Sequence, residues 1–287
     1  MFGLGQMISD FFRSLFIEGI MSNFSNMYDE VNTKVGEIAT QVGQTPQGWN
    51  AGVFNMIRSI SETVIIPVAG LILTFVLCYE LIQLIIEKNN MAEFDTFNIF
   101  KWIFKTFIAT YILTNTFNIV MAVFALAQQV IQGSAGVIGN SLDNELALAN
   151  LQAQLETMGL GELIGLYLES SVLGLAMKAI SLCIFIIIYG RMIEIYLTCS
   201  VAPIPLATMV NREWGSMGNN YLKGLFALAF QGFLIMICVA IYAVLLQSIS
   251  SSSNVHAAIW GTAGYTVLLC FTLFKTGSLS KSLFSAH

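Results

Sequence analysis

The chain has 287 residues, 56% of them hydrophobic and only 10% charged, with a formal net charge of −5 and a mean hydropathy of +0.75. A soluble domain carries about 25% charged residues, so a soluble globular class is excluded. The acidic balance also excludes the basic footprint of a duplex-binding protein.

In chain order, the first element is an N-terminal helix. Phe2, Leu4, Ile8, Phe11, Phe12, Leu15, Phe16 and Ile20 recur at helical spacing, which predicts an amphipathic helix lying on a membrane surface or against a helical bundle. The same stretch lacks a basic n-region and carries Asp10, Arg13 and Glu18, unlike a signal peptide. "QVGQTPQGWNAG", Gln41 to Gly52, reads as a linker. Residues 1–63 thus form an expected extracytoplasmic segment, and residues 64–287 a transmembrane bundle.

Five apolar runs are long enough to cross a bilayer as helices, at about 20 residues each. They are Val64–Ile86, Ile99–Ala127, Val172–Leu197, Leu222–Leu246 and Ala257–Phe274. The runs are continuous rather than alternating, which favours helices over a barrel. The expected fold is an all-α polytopic membrane protein with about five transmembrane helices and an N-terminal amphipathic segment.

Several polar residues interrupt these runs. Glu80 sits in the first span, six residues from its end, and Lys105 six residues into the second, from the same side. Arg191 and Glu194 lie near the corresponding end of the third. The four define an expected charged layer, either a structural ion-pair layer or a site of proton or ion coupling. Thr106, Thr110, Thr114 and Asn118 follow i, i+4 spacing along the second span. Such a stripe serves as interhelical glue or lines a wet conduit. Between the second and third spans, an outer loop over about 128–171 contains an amphipathic pattern across "SLDNELALANLQAQLETMG", ended by Gly159 and Gly161. Its apolar face calls for a partner: a membrane surface, the N-terminal helix or another subunit. Gly224, Gly232, Ala240, Ala257, Gly261 and Gly264 place small residues where helices approach closely.

Lys and Arg set the orientation. There is none between Lys105 and Lys178, or in "QSISSSSNVHA", so both connections are expected outside. Lys88, Lys101, Lys105, Arg191, Arg212, Lys223, Lys275 and Lys281 mark the cytoplasmic side. The N-terminus is then outside and the C-terminus inside, with Arg13, Lys34 and Arg58 running against the trend.

Between the third and fourth spans, over about 198–221, lies "VAPIPLATMVNREWGSMGNNY", with Lys223 following at the start of the fourth span. Pro203 and Pro205 cannot continue a helix without losing hydrogen bonds, and the residues before them are pushed towards extended geometry. Arg212, Glu213, Trp214, Asn219, Asn220 and Lys223 are expected on a constrained cytoplasmic elbow facing a partner or cargo.

Ala202, Pro203, Pro205, Arg212, Glu213, Tyr221, Lys223, Ala227, Phe230, Gln231, Gly232 and Tyr242 resemble the signature region of TrbL-like proteins. These are polytopic inner-membrane subunits of conjugative type IV secretion systems, and the likeness is to those on mobile elements of Gram-positive bacteria. The resemblance implies a membrane platform or channel subunit through which relaxase-bound single-stranded DNA leaves the cell. It also implies partners: the secretion ATPases, the bitopic scaffold subunit, other copies of the chain and the lipid bilayer.

Catalysis is not expected. His256 and His287 are the two histidines, and no HExxH, Walker loop or nucleophile elbow is present. Cys78, Cys183, Cys199, Cys238 and Cys270 form no CxxC and read as small buried hydrophobes, so neither metal nor cofactor is expected. Two alternatives to the channel reading are an assembly scaffold without cargo contact and a secondary transporter. The transporter predicts inverted repeats, which five spans with one broken connection do not display.

Overall fold

A computed structural model describes residues 2–86, 96–135, 144–250 and 255–286. Its elements are α1 Phe2–Val42, α2 Pro46–Trp49, α3 Ala51–Ile60, α4 Ile66–Ile86, α5 Thr96–Thr114, α6 Thr116–Ala135, α7 Asn144–Leu155, α8 Leu160–Val201, α9 Pro203–Thr208, α10 Gly215–Ser250 and α11 Val255–Leu283. A π-helical segment, Ser61–Ile65, joins α3 to α4. No strand occurs among the described residues.

Five stretches are long and apolar enough to span a membrane: Ala51–Ile86, Thr116–Gly133, Leu160–Val201, Gly215–Leu246 and His256–Leu283. The chain is an all-α, multi-pass membrane protein. The spans differ in extent from the apolar runs. The first spanning stretch begins at Ala51, the start of α3, because Asn50 caps it, its side chain accepting from Val53 N at 2.9 Å. The second is divided at Asn115, whose side-chain amide donates to the Tyr111 carbonyl at 2.9 Å, a side-chain bond that competes with regular helix. The apolar stretch starts after this point, leaving Lys101 and Lys105 on α5. Lys88, Asp143, Leu142 and Ser251 lie outside the described residues.

The chain forms two compact units. The first comprises Met1–Val42, Gln132–Ile188 and Ile235–Lys275. Within it α1 extends well beyond Ile20, burying Ile20, Phe24, Met27, Ile38 and Val42. It packs on α7, in which Leu151 and Leu155 are buried. Arg13 donates to the Glu156 carbonyl. Further along, Phe16 meets Tyr167 at 5.6 Å between ring centroids, and Asn23 donates to the Ser170 and Ser171 hydroxyls at 3.0 Å each. Ser181 donates to Glu30 at 2.6 Å. α1 therefore follows α8 from Tyr167 to Ser181 in the same direction. Between α7 and α8, the Glu162 carboxylate accepts from Gly159 N at 3.0 Å. This reach-back from the first turn starts α8.

The second unit comprises Gly43–Ile131, Tyr189–Leu234 and Thr276–His287. One of its cores joins Phe54 and Ile57 of α3, Phe117, Val120 and Phe124 of α6, Met192, Ile195, Tyr196 and Cys199 of α8, and Leu225 and Leu228 of α10. A second joins Ala69, Leu73 and Leu77 of α4 to Ala109 and Leu113 of α5 and Ala207 of α9. The segment read as a linker is folded into this unit. Pro46 is buried, Tyr196 donates to its carbonyl at 2.6 Å, and Trp49 packs on Tyr189 and Tyr196. Gln128 donates to the Gly43 carbonyl at 2.7 Å. Buried backbone acceptors demand such partners, and here distant helices provide them.

Candidate functional site

The elbow is narrower than the sequence suggests, because α8 continues to Val201 and α10 begins at Gly215. The prolines do not open it into extended chain. Ala202 adopts φ −49°, ψ −38°, a helical conformation, and Pro203 occupies the first turn of α9. First-turn N–H groups have no intrahelical acceptor, so proline costs nothing there and pre-sets the backbone angle. The break is thus a helix-to-helix joint.

α9 lies along α4 and α5, and the corner after it is tied by Asn211. This residue is buried, and its Oδ1 accepts from Glu213 N at 2.8 Å and Trp214 N at 3.3 Å, an Asx-type turn. Glu213 accepts from Tyr79 at 3.3 Å and Gln83 at 3.1 Å, both on α4. The Trp214 ring stacks on Phe75 and Tyr79 at 5.5 and 5.7 Å. Gly218 allows α10 to close on α9. A Cβ there would fall on Met209 Cγ and stand 2.6 Å from the Pro205 carbonyl oxygen. Neither Asn211 nor Gly218 stood out in the sequence, although an Asn two residues before an exposed turn is a recognisable Asx signal.

Once the corner is clamped, its polar residues face outward. Arg212 is exposed. Asn219, Asn220 and Lys223 are exposed as well but belong to α10 rather than a loop. With Ser216 they follow i, i+3, i+4, i+7 spacing, one helix face. Glu213 and Trp214, by contrast, are engaged by α4.

The four charged residues do not pair with one another as a single network among the described residues. Lys105 and Glu80 make an ion pair, beside which Trp102 donates to the Leu77 carbonyl at 3.3 Å. Arg191 is buried, and its Nη2 donates to the Leu228 carbonyl at 3.5 Å. Glu194 pairs with Lys281 at 3.3 Å. Arg191 and Glu194 are three residues apart on one helix, but the carboxylate turns towards α11.

The threonine stripe satisfies itself. Thr106, Thr110 and Thr114 donate to the carbonyls of Trp102, Thr106 and Thr110 at 2.9, 2.9 and 3.0 Å. Thr110, Thr114 and Asn118 are exposed on the folded chain, so the stripe is not glue between helices of this unit. Among the described residues no cluster of His, Cys, Asp and Glu is arranged to hold a metal ion.

These features define a multi-pass helical membrane protein in which α8 and α10 are joined through a clamped polar corner. Residues 31–203, more than half of the chain, match the family described as TrbL/VirB6 plasmid conjugal transfer like protein. The chain belongs to that family. It is a component of conjugal transfer machinery of the type IV secretion kind, and the family is a structural component of that machinery rather than a known enzyme family. The match ends at Pro203, so most of the stretch carrying the sequence resemblance lies beyond it. Comparison with curated proteins and with solved structures gives no match.

Proposed function

We propose that this chain is a membrane platform of a conjugative type IV secretion system, helping relaxase-bound single-stranded DNA to cross the cell membrane, and that its elbow is a docking surface. The single observation carrying this reading is the exposed polar face of Arg212, Ser216, Asn219, Asn220 and Lys223. It stands on a corner that Asn211, Glu213 and Trp214 hold in place. Arg212 and Lys223 present cations to an acidic surface of a motor ATPase or to a phosphate backbone. The distribution of Lys and Arg orients this corner towards the cytoplasm, with the N-terminus outside. Other copies of the chain and a bitopic scaffold subunit complete the proposed assembly.

A mating assay with the Arg212→Ala/Lys223→Ala double variant tests the reading, alongside blots of membrane fractions. Transfer is expected to fall at unchanged abundance, with weaker capture of the motor subunit or weaker cross-linking to transferred DNA. Normal transfer at normal abundance would leave the elbow as a structural turn. Lost transfer with both contacts intact would favour an assembly scaffold without cargo contact.

A further inference from the structure

Within the first unit, a cleft of about 540 Å³ is lined by α1 and α8, a volume in the range of small-molecule sites, roughly 300–1,000 Å³. Its lining mixes apolar side chains, Met27, Leu175 and Met177, with polar ones that carry both signs of charge. Asn26, Asp29, Glu30 and Thr33 come from α1, and Ser171 and Lys178 from α8. No ion pair joins Lys178 to either carboxylate among the described residues. Among the described residues Asp29 accepts a 3.5 Å bond from Ser25, and Glu30 is oriented by Ser181. A cation and two carboxylates thus line one space without meeting.

The surface beside the cleft is apolar. Leu168, Val172, Leu175 and Leu182 are exposed by 60, 68, 72 and 60%, and their spacing of four, three and seven residues puts them in one lane along α8. Leu175 belongs both to that lane and to the cleft lining. Gly174 lies between, with open space where a Cβ would project.

We propose that the cleft binds the headgroup of an aminophospholipid, a phosphate carrying a primary ammonium a few bonds away, with its acyl chains along the Leu168–Leu182 lane. The ammonium meets Asp29 and Glu30, and the phosphate meets Lys178. The amide and hydroxyl groups of Asn26, Thr33 and Ser171 take the remaining hydrogen bonds. Three features support a zwitterion. A simple cation leaves Lys178 unpaired, and a simple anion faces two carboxylates. An apolar ligand strands every polar group in the lining, which costs free energy at each. The leaflet supplying the lipid follows from the orientation proposed above, whereas the binding itself does not depend on it.

The test uses the full chain purified in mild detergent. Dihexanoyl phosphatidylethanolamine, dihexanoyl phosphatidylglycerol and soluble O-phosphoethanolamine are each titrated and bound ligand counted by native mass spectrometry. Phosphatidylethanolamine is expected to bind at least about tenfold more tightly than phosphatidylglycerol, the factor expected for one charge-assisted contact. O-phosphoethanolamine should bind weakly, because it lacks the chains that use the apolar lane. Glu30→Gln should remove that preference, whereas Lys178→Gln should weaken binding of both phospholipids, whose phosphate is common. Gly174→Leu, which changes no charge and fills the space, should abolish binding. Gel filtration and tryptic digestion check that each variant keeps its fold, and a misfolded Gly174→Leu is replaced by Gly174→Ala. Equal binding of the two lipids would overturn the proposal, as would a phosphatidylethanolamine preference unmoved by Glu30→Gln or phospholipid binding unmoved by Lys178→Gln. Tight O-phosphoethanolamine binding would reassign the cleft to a soluble zwitterion and overturn the lipid source.

Discussion

Glu80 and Lys105 show how one contact settles a membrane helix pair. Glu80 Oε2 is buried without a hydrogen bond among the described residues, so the ion pair through Oε1 is what compensates the carboxylate. Glu80→Gln leaves Lys105 without a counter-ion, and Lys105→Met leaves the carboxylate alone. The side chains are 22% and 39% exposed. The coupling should therefore fall between an exposed pair, roughly 0.2–1 kcal/mol, and loss of a buried partner, roughly 3–5 kcal/mol. A double-mutant cycle in detergent unfolding should give about 1–2 kcal/mol, with the double variant more stable than the additive expectation. A cycle with no coupling would remove the pair. Depth counting along two apolar runs was enough to bring these residues together on paper. It failed for Glu194 because pairing with Lys281 depends on how α11 packs, which no local spacing encodes.

The glycines of α10 separate two effects at the same scale. In an open helix position Gly→Ala gains up to about 1 kcal/mol of helix propensity. Gly224 has nothing within 4 Å of a Cβ, so Gly224→Ala should raise the unfolding midpoint or leave it unchanged. Gly218→Ala meets the Pro205 carbonyl oxygen, a backbone atom that cannot rotate away. Overpacking of this kind costs typically about 1–3 kcal/mol, exceeding the propensity gain. Gly218→Ala should lower the midpoint and, in a chain keeping Trp214 as its one tryptophan, increase acrylamide quenching. A stabilised Gly218→Ala with an unchanged Trp214 would contradict the clamped corner.

At the scale of elements, the apolar helices were legible because lipid requires every backbone group to be satisfied within the segment, which leaves long continuous runs. α1 beyond Ile20 was not. Its charges, Asp29, Glu30, Lys34 and Glu37, hide the apolar face of Phe24, Met27, Ile38 and Val42. The fold of Pro46 to Asn50 was equally hidden, since Tyr196 supplies its hydrogen bond from 150 residues away. Helix neighbours can be tested directly. Cys183 on α8 and Cys270 on α11 lie near each other. In a chain lacking Cys78, Cys199 and Cys238, copper phenanthroline should join them as one disulfide-linked peptide pair found by mass spectrometry. Cross-links only between separate chains would contradict the α8–α11 contact.

For the whole molecule, the quantity to settle is which face of the membrane each connection occupies. α8 alone, at 42 residues, is about 63 Å long at 1.5 Å per residue. That is about twice the hydrocarbon thickness of roughly 30 Å, so helix length cannot locate the bilayer along it. Charge can. The stretch from Thr106 to Met177 has no Lys or Arg, whereas Arg191, Arg212 and Lys223 bracket the elbow, and excess positive charge stays on the cytoplasmic side. Arg13, Lys34 and Arg58 oppose this assignment, but Arg13 is held by the Glu156 carbonyl, and Lys34 and Arg58 by Glu37 and Glu62. Single cysteines at Asn144 and Ser251, in a chain without native Cys, should react with an impermeant thiol reagent in intact cells. A cysteine at Ser216, exposed at the start of α10, should react only after permeabilisation. Labelling of Ser216 from outside, with Asn144 protected, would invert the arrangement and separate the elbow from any cytoplasmic motor.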